Sequence, residues 1–236
     1  MEHWTDRTKL LIGAEAIGAL ARSRVAVFGL GGVGSFAAEA LVRAGAGHLL
    51  FVDHDTVSPS NLNRQLHATT AVIGQQKTLL MAARAKSINP NIQIQTREVF
   101  CLPGNLPGVL SADVDYILDA VDTVSTKLAL AELAAARGIP IVSVMGTGNK
   151  LDPSRFTVSD IYETSVCPLC RIMRRELRRR AIASLRVVYS TEPPRAPAQQ
   201  ADSAPLVGSV SFVPPVAGML AAGEIICTLA GLRPRK

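Results

Sequence analysis

Aromatic side chains are scarce. They make up 4% of the 236 residues, with a single tryptophan. The core must therefore be filled by Val, Leu, Ile and Ala, the residues of a parallel sheet buried on both faces. Cysteine is scarce too: Cys101, Cys167, Cys170 and Cys227 are too few for the disulfide framework of a small secreted scaffold. Acidic residues are outnumbered, 19 against 25 basic ones, leaving a net charge of +6 and a pI near 9.5. That balance favours an anionic partner such as a nucleotide or RNA, without identifying one. Long uncharged apolar runs are lacking. The best candidate, 216–232, is short and carries Glu224 at its middle. A buried or interface helix is expected there rather than a membrane span. No charged-then-apolar leader precedes the first strand, so the expected location is cytoplasmic.

What is present is a globular composition, 48% hydrophobic and 19% charged. Short apolar runs at 25–28, 48–52, 92–99, 116–120 and 141–145 alternate with helical patterns. That alternation predicts an α/β fold: a Rossmann-like, mainly parallel sheet with helices on both faces. Gly45 and Gly138 close two of the helices, and a third stops before Pro90. After Gly146 the alternation breaks down. "RFTVSDI" and "LRVVYST" read as late strands flanking a basic helix. The stretch 193–205, rich in proline, reads as a mobile loop. No internal repeat is visible. One domain, 1–236, is expected, with a nucleotide-binding core over 1–146 and a C-terminal extension of strands and helices over 147–236.

The stretch "VAVFGLGGVG" runs an apolar strand into a glycine turn. Gly29, Gly31 and Gly34 fit G-x-G-x-x-G, with Gly32 extra. Glycine lets a phosphate approach the backbone, and the following helix start points free N–H groups at it. Asp53 ends the second strand, where a carboxylate bonds ribose hydroxyls. These features alone leave a dinucleotide and ATP both open. A pyrophosphate can be held largely by helix N–H groups, whereas triphosphate chemistry needs cations and a metal. The loop "SPSNLNRQLH" supplies Asn61, Asn63, Arg64 and Gln65, and Lys77 opens the next helix. "LDAVD" leaves Asp119 and Asp122 at the carboxyl edge of the sheet, where one of them can hold Mg²⁺ through oxygen. Each has a bland alternative: Arg64 as a surface charge, Lys77 as a solvated helix residue, Asp122 as a helix N-cap. Their occurrence together favours ATP.

These motifs, "VFGLGGVGS", "FVDHDTVSPSNLNRQ", "GQQK" and "LDAVD", resemble the adenylation domain of the ThiF/MoeB/HesA family, shared with the ubiquitin-activating enzymes. The resemblance implies ATP and Mg²⁺. Gly31 and Gly32 would line the phosphate turn, Asp53 and Asp55 would sit with the ribose end, and Asn63, Arg64 and Lys77 would contact the triphosphate. Asp122 would hold the metal. Arg7, in "DRTKLLIG", matches a family arginine that reaches into the partner subunit's ATP site, which implies a homodimer. The resemblance thus implies Arg7, Arg64, Lys77 and Asp122 as the catalytic set.

The second half departs from the zinc-binding members. "CPLC" gives Cys167 and Cys170, but no second C-x-x-C follows, and two thiolates do not complete a tetrahedral site. No structural zinc is expected. "NKLDPSRF", "DIYETS", "RRELRR", "VVYSTE" and "SFVPPVAGMLAAG" are instead similar to the TcdA branch, the tRNA threonylcarbamoyladenosine dehydratases. That resemblance implies adenylation of the threonyl carboxylate of threonylcarbamoyladenosine in tRNA, then cyclisation to a hydantoin. The alternative is activation of the C-terminal glycine of a ubiquitin-like sulfur carrier. Six arginines fall within 171–180. At 100° per residue Arg171, Arg174, Arg175 and Arg178 share a face, read as a track for RNA phosphates or, alternatively, as a solvated basic face. The sequence identifies no sulfur-transfer or redox partner.

Overall fold

The structure, a computed structural model, describes residues 3–196 and 207–233. Most of the proline-rich loop expected over 193–205 lies outside the described residues. The elements follow in the order α1 (Asp6–Arg22), β1 (Arg24–Phe28), α2 (Gly34–Ala44), β2 (His48–Val52), α3 (Lys77–Ile88) and β3 (Gln93–Arg97). Then come α4 (Leu106–Val109), β4 (Tyr116–Asp119), α5 (Val124–Arg137), β5 (Ile141–Val144), β6 (Phe156–Asp160), α6 (Pro168–Arg179), β7 (Arg186–Ser190) and α7 (Val213–Leu229).

The strands form one seven-stranded sheet in the order β3-β2-β1-β4-β5-β7-β6. All pairings are parallel except β6 with β7. From β1 the chain moves outward through β2 to β3, then returns to place β4 on the other side of β1. That reversal opens a crevice at the carboxyl ends of β1 and β4, the usual ligand position in open α/β sheets. The strands expected from the sequence are present, with 92–99 shortened to β3.

Both faces of the sheet are covered. Val25 and Val27 of β1 join Leu41 of α2, Met81 of α3 and Ile225 of α7 in one core. Ala26 and Phe28, the alternate residues, join Leu106 of α4 and Leu130 of α5 in a second core on the opposite face. A third cluster packs Met173 and Leu177 of α6 against Val187 and Tyr189 of β7. The sparse aromatic content is thus used sparingly: Phe28 and Phe51 are buried, each in a different cluster. Buried Glu39 on α2 accepts from Arg43 and from two nitrogens of Arg84, tying α2 to α3.

The helix α7 covers α2 closely. A Cβ on Gly218 would lie 2.3 Å from the Val33 carbonyl oxygen, so only glycine admits this approach. Its Glu224 is buried but paired, accepting from Arg186 Nε at 2.7 Å and Arg233 Nη1 at 2.5 Å. Among the described residues no helix is long and apolar enough to cross a membrane.

Candidate nucleotide site

The glycine turn sits at the crevice between β1 and β4. Gly29 has φ of 85°, and a Cβ there would lie 2.7 Å from the Ala120 carbonyl oxygen. A Cβ on Gly34 would lie 1.8 Å from the Gly29 carbonyl oxygen. The turn is therefore folded against itself and against the end of β4. Val33 caps α2 without a side-chain hydrogen bond. The Ser35 N–H donates to the Gly31 carbonyl at 3.1 Å, and no side chain caps the other N–H groups of the first turn, which face a ligand position. Asp53 stiffens the same turn: its Oδ2 accepts from the Leu30 N–H at 2.6 Å and its Oδ1 from the Asp55 N–H at 2.8 Å.

A cavity of about 280 Å³ opens beside the turn. Gly31 and Gly32 form one wall, Asp53 and Asp55 another, and Arg64, Lys77 and Asp122 also line it. The buried Lys77 Nζ donates to Asp55 Oδ2 at 2.7 Å, and His54 Nε2 lies 3.1 Å from the other Asp55 oxygen. Arg64 Nη1 donates to the Ser60 carbonyl at 2.8 Å and to Asn63 Oδ1 at 2.9 Å. Both cations are positioned by neighbours before any anion arrives.

The two carboxylates that close "LDAVD" differ in kind. Asp119 is fully buried; its Oδ2 accepts from Lys127 Nζ at 3.1 Å and Ser143 Oγ at 2.5 Å, and its Oδ1 from the Val121 N–H at 3.2 Å. Asp122 is exposed at the cavity wall, with only a long 3.3 Å contact from Thr123 Oγ1. Asp119 is thus committed to holding the loop, and Asp122 is free to meet a ligand. Asp55 is the other exposed carboxylate on the cavity, but Lys77 and His54 already engage it, whereas Asp122 suits Mg²⁺, which binds through one or two carboxylates plus substrate phosphates.

Two of the sequence candidates stand apart from the cavity. Asn63 does not line it; its Nδ2 donates to the Ser209 carbonyl at 3.0 Å. Arg7 is exposed on the first turns of α1 and does not line it either. Conversely, His54, Phe100, Thr147 and Pro214 line the cavity without having been singled out from the sequence. Phe100 meets His54 edge to face at 4.7 Å between ring centroids. His54 lies within the stretch "FVDHDTVSPSNLNRQ" but was given no role there, Phe100 belongs to none of the motifs, and Thr147 and Pro214 arrive from distant parts of the chain. Cys101 also lines the cavity, and burial, aided by the Asp53 charge, pushes its thiol up to about 11. It is an inert wall rather than a nucleophile.

Two other buried groups stand near the phosphate end. Gln65 lines the cavity. His67, in the same loop, is held neutral: burial and the Lys77 charge push its pKa down to about 4.

The basic helix is α6. Arg171, Arg175 and Arg178 are exposed along it. Arg174 is turned into the protein, where its Nη1 donates to the Thr164 carbonyl at 2.9 Å and to the Thr164 hydroxyl. Arg178 lies over the Tyr162 ring, 5.1 Å from its centroid. Arg175, Arg179 and Arg180 all pair with Glu176. The stripe read from the helical period is therefore three outward arginines and one anchoring arginine.

Comparison with known proteins gives consistent matches. A model of the ThiF family matches residues 5–236. The tRNA threonylcarbamoyladenosine dehydratase of Bacillus subtilis (strain 168) is 38% identical over 97% of this chain and 95% of its own length. The crystal structure of Escherichia coli tRNA N6-threonylcarbamoyladenosine dehydratase, TcdA, in complex with AMP superposes with a TM-score of 0.89 at 31% identity, covering 98% of this chain and 95% of that one. The same E. coli protein in complex with ATP gives a TM-score of 0.88 at 31% identity, covering 96% and 93%.

Proposed function

The chain belongs to the ThiF family, and from that premise we propose that it is an ATP-dependent tRNA threonylcarbamoyladenosine dehydratase. The observation that carries the reading is the convergence of an uncapped helix start, Arg64, Lys77 and the exposed Asp122 around one cavity. The B. subtilis and E. coli relatives bear the dehydratase name, and the E. coli protein binds AMP and ATP.

ATP enters with its phosphates at the glycine turn and the N–H groups of α2. The apolar wall of Val52, Val99 and Phe100 receives the adenine, and Asp53 and Asp55 the ribose end. Arg64 and Lys77 stabilise the charge that grows on the phosphates as the threonyl carboxylate oxygen attacks the α-phosphorus and pyrophosphate leaves. Fixed cations in a partly dry site are worth about 3–4 kcal/mol each at a transition state. Asp122 would hold Mg²⁺ on the same phosphates, adding charge neutralisation when bound. The ureido nitrogen of the base then attacks the acyl carbon and releases AMP, closing the hydantoin with net loss of water. The enzyme's part in this second step is placement of nucleophile beside the acyl-adenylate. Arg171, Arg175 and Arg178 offer the tRNA backbone a cationic edge. A homodimer would bring Arg7 to the neighbour's triphosphate, a reading supported by the exposed Leu10 and Leu11 beside it on α1. A cytoplasmic location is part of the same reading.

The test is ATP–pyrophosphate exchange with three additions: tRNA carrying threonylcarbamoyladenosine, the same tRNA unmodified, and a ubiquitin-like carrier protein. Exchange is expected with the modified tRNA alone. Exchange driven by the carrier protein would replace this reading with a sulfur-carrier adenylyltransferase.

A further inference from the structure

The reaction proposed above gives no role to Cys167 and Cys170, yet the fold prepares them together. Cys167 is the N-cap of α6 and Cys170 lies one turn on, both buried in the cluster formed by α5, α6 and β7. The C-x-x-C spacing at a helix start brings the two side chains to the same edge of the first turn. The Cys170 thiol and the backbone N–H groups of Cys170, Leu169 and Gly146 favour the charged form of the Cys167 sulfur. The buried Lys150 ammonium lies close enough to feel both sulfurs.

The chain just before the pair is strained. Val166 has φ of 62°, and the Cys167 N–H donates across it to the Ser165 carbonyl at 2.6 Å. This is a tight three-residue turn with positive φ, a rare conformation and a steric outlier for a β-branched residue. Such strain persists only where surroundings impose it, and it clusters at sites that work. Val166 itself is 46% exposed, beside the buried Cys167.

We propose that Cys167 and Cys170 form a thiol–disulfide exchange site, separate from the nucleotide cavity, that closes to a disulfide on reaction with a low-molecular-weight disulfide. The chemistry is divided between the two residues. The donors around Cys167, first among them the Cys170 thiol, lower its pKa to about 6 against the opposing effect of burial. The thiolate form is thereby favoured at neutral pH, where a thiol of lowered pKa attacks disulfides well. Cys170 is pushed the opposite way by its thiol's bond to Cys167 and by burial, so it keeps its proton. The Cys167 thiolate attacks one sulfur of the small disulfide; that S–S bond breaks and one thiolate leaves. Cys170 passes its proton to the departing thiolate and attacks the Cys167 sulfur; the mixed S–S bond breaks and the second small group leaves as a thiolate that takes a proton from solvent. Two cysteine thiols are oxidised to one disulfide and one small disulfide is reduced to two thiols.

Cleavage after Arg155 and Arg171 puts both cysteines, and neither of the other two, in the peptide 156–171. The native protein is equilibrated with mixtures of reduced and oxidised glutathione, quenched in acid, alkylated and digested with trypsin. The peptide 156–171 is expected to lose two hydrogens reversibly and to become closed to alkylation as the oxidised fraction rises. Cys170→Ala should instead hold one glutathione on Cys167, and Cys167→Ala should leave Cys170 unmodified. The proposal is overturned if the wild-type peptide stays fully alkylatable in oxidised glutathione while circular dichroism reports a folded chain. It is equally overturned if closure occurs only in urea, or if a bound metal blocks oxidation until chelated. The wild-type mapping stands on its own should either variant fail to fold.

Discussion

Replacing Lys127 by methionine isolates one interaction beneath the nucleotide cavity. The ammonium is 1% exposed and donates to Asp119 Oδ2, Ser143 Oγ and the Val144 carbonyl. Methionine fills similar space but supplies no charge and no donor. The Asp119 carboxylate is then buried with two weaker donors, and stranding a charge in this way costs about 3–5 kcal/mol. An upper bound comes from proton uptake: neutralising a carboxyl group of ordinary aspartate acidity at pH 7 costs about 4 kcal/mol, and the variant has no reason to exceed that. Lys127→Met should therefore lose about 3–4 kcal/mol, a large part of the 5–15 kcal/mol typical of a domain. Because the escape route takes up a proton, the deficit should shrink as pH falls from 8 toward 5. Asp119→Asn added to Lys127→Met should recover part of the loss. Urea unfolding at four pH values measures all three quantities. A loss below about 1 kcal/mol, or a deficit independent of pH, would refute the view of Asp119 as a charge held by Lys127. The loop Ala120 to Asp122 hangs from Asp119 through the Val121 N–H. Nucleotide affinity should fall in the single variant and return in the double.

Other expectations test separate parts of the molecule. Gly34→Ala places a methyl group against the Gly29 carbonyl oxygen, so it should destabilise by at least about 2 kcal/mol and weaken AMP binding, read by calorimetry; an unchanged melting temperature would contradict the tight turn. His67 has its folded pKa lowered to about 4 against about 6.5 unfolded, so the unfolded chain binds the extra proton between those values and stability falls as pH drops through that window, by up to about 3 kcal/mol. His67→Gln should flatten the pH dependence of the urea midpoint, and an identical slope would remove His67 from the account. Asp122→Asn should nearly abolish pyrophosphate exchange while nucleotide binding survives in part, and full turnover would remove Asp122 from the site. Arg7→Ala and Asp122→Asn should each be inactive alone, yet recover toward about a quarter of wild-type activity on mixing and re-association, since half the dimers are then mixed and each has one intact site; a dead mixture containing proven mixed dimers would place Arg7 within its own chain or outside the reaction.

Different parts of the molecule were legible to different degrees. The unit from β1 through α2 to Asp53 follows from local pattern: a strand buried on both faces, a glycine turn, and a helix closed by Gly45 with φ of 97°. The strand order at the far edge does not. β7 inserts between β5 and β6 although it comes later in the chain, a choice made by long-range packing that no local period encodes. The site divides in the same way. Gly31, Gly32, Arg64, Lys77 and Asp122 stand in motifs, whereas Thr147 and Pro214 reach the cavity only through the closed fold. Nothing in "LDAVD" tells Asp119 from Asp122. Burial separates them, and Lys127, which decides the matter, looks from sequence like one more charge in an alanine-rich helix. The helical period likewise grouped Arg174 with its neighbours, because it gives a direction on the helix and not the position of Thr164.

The packing of α7 on α2 sets an order on synthesis at the ribosome. The apolar face of α2 is complete once Ala44 is made, but Ala217, Ala221, Ala222 and Ile225, which cover it, come near the end of the chain. At roughly 5–20 residues per second the nascent face waits about ten to forty seconds for its cover. During that interval Leu41 and Val42 are candidates for chaperone capture. A truncation before α7 would prolong the interval indefinitely, so the nucleotide-binding half should not persist as a folded product by itself even though its motifs all lie within it.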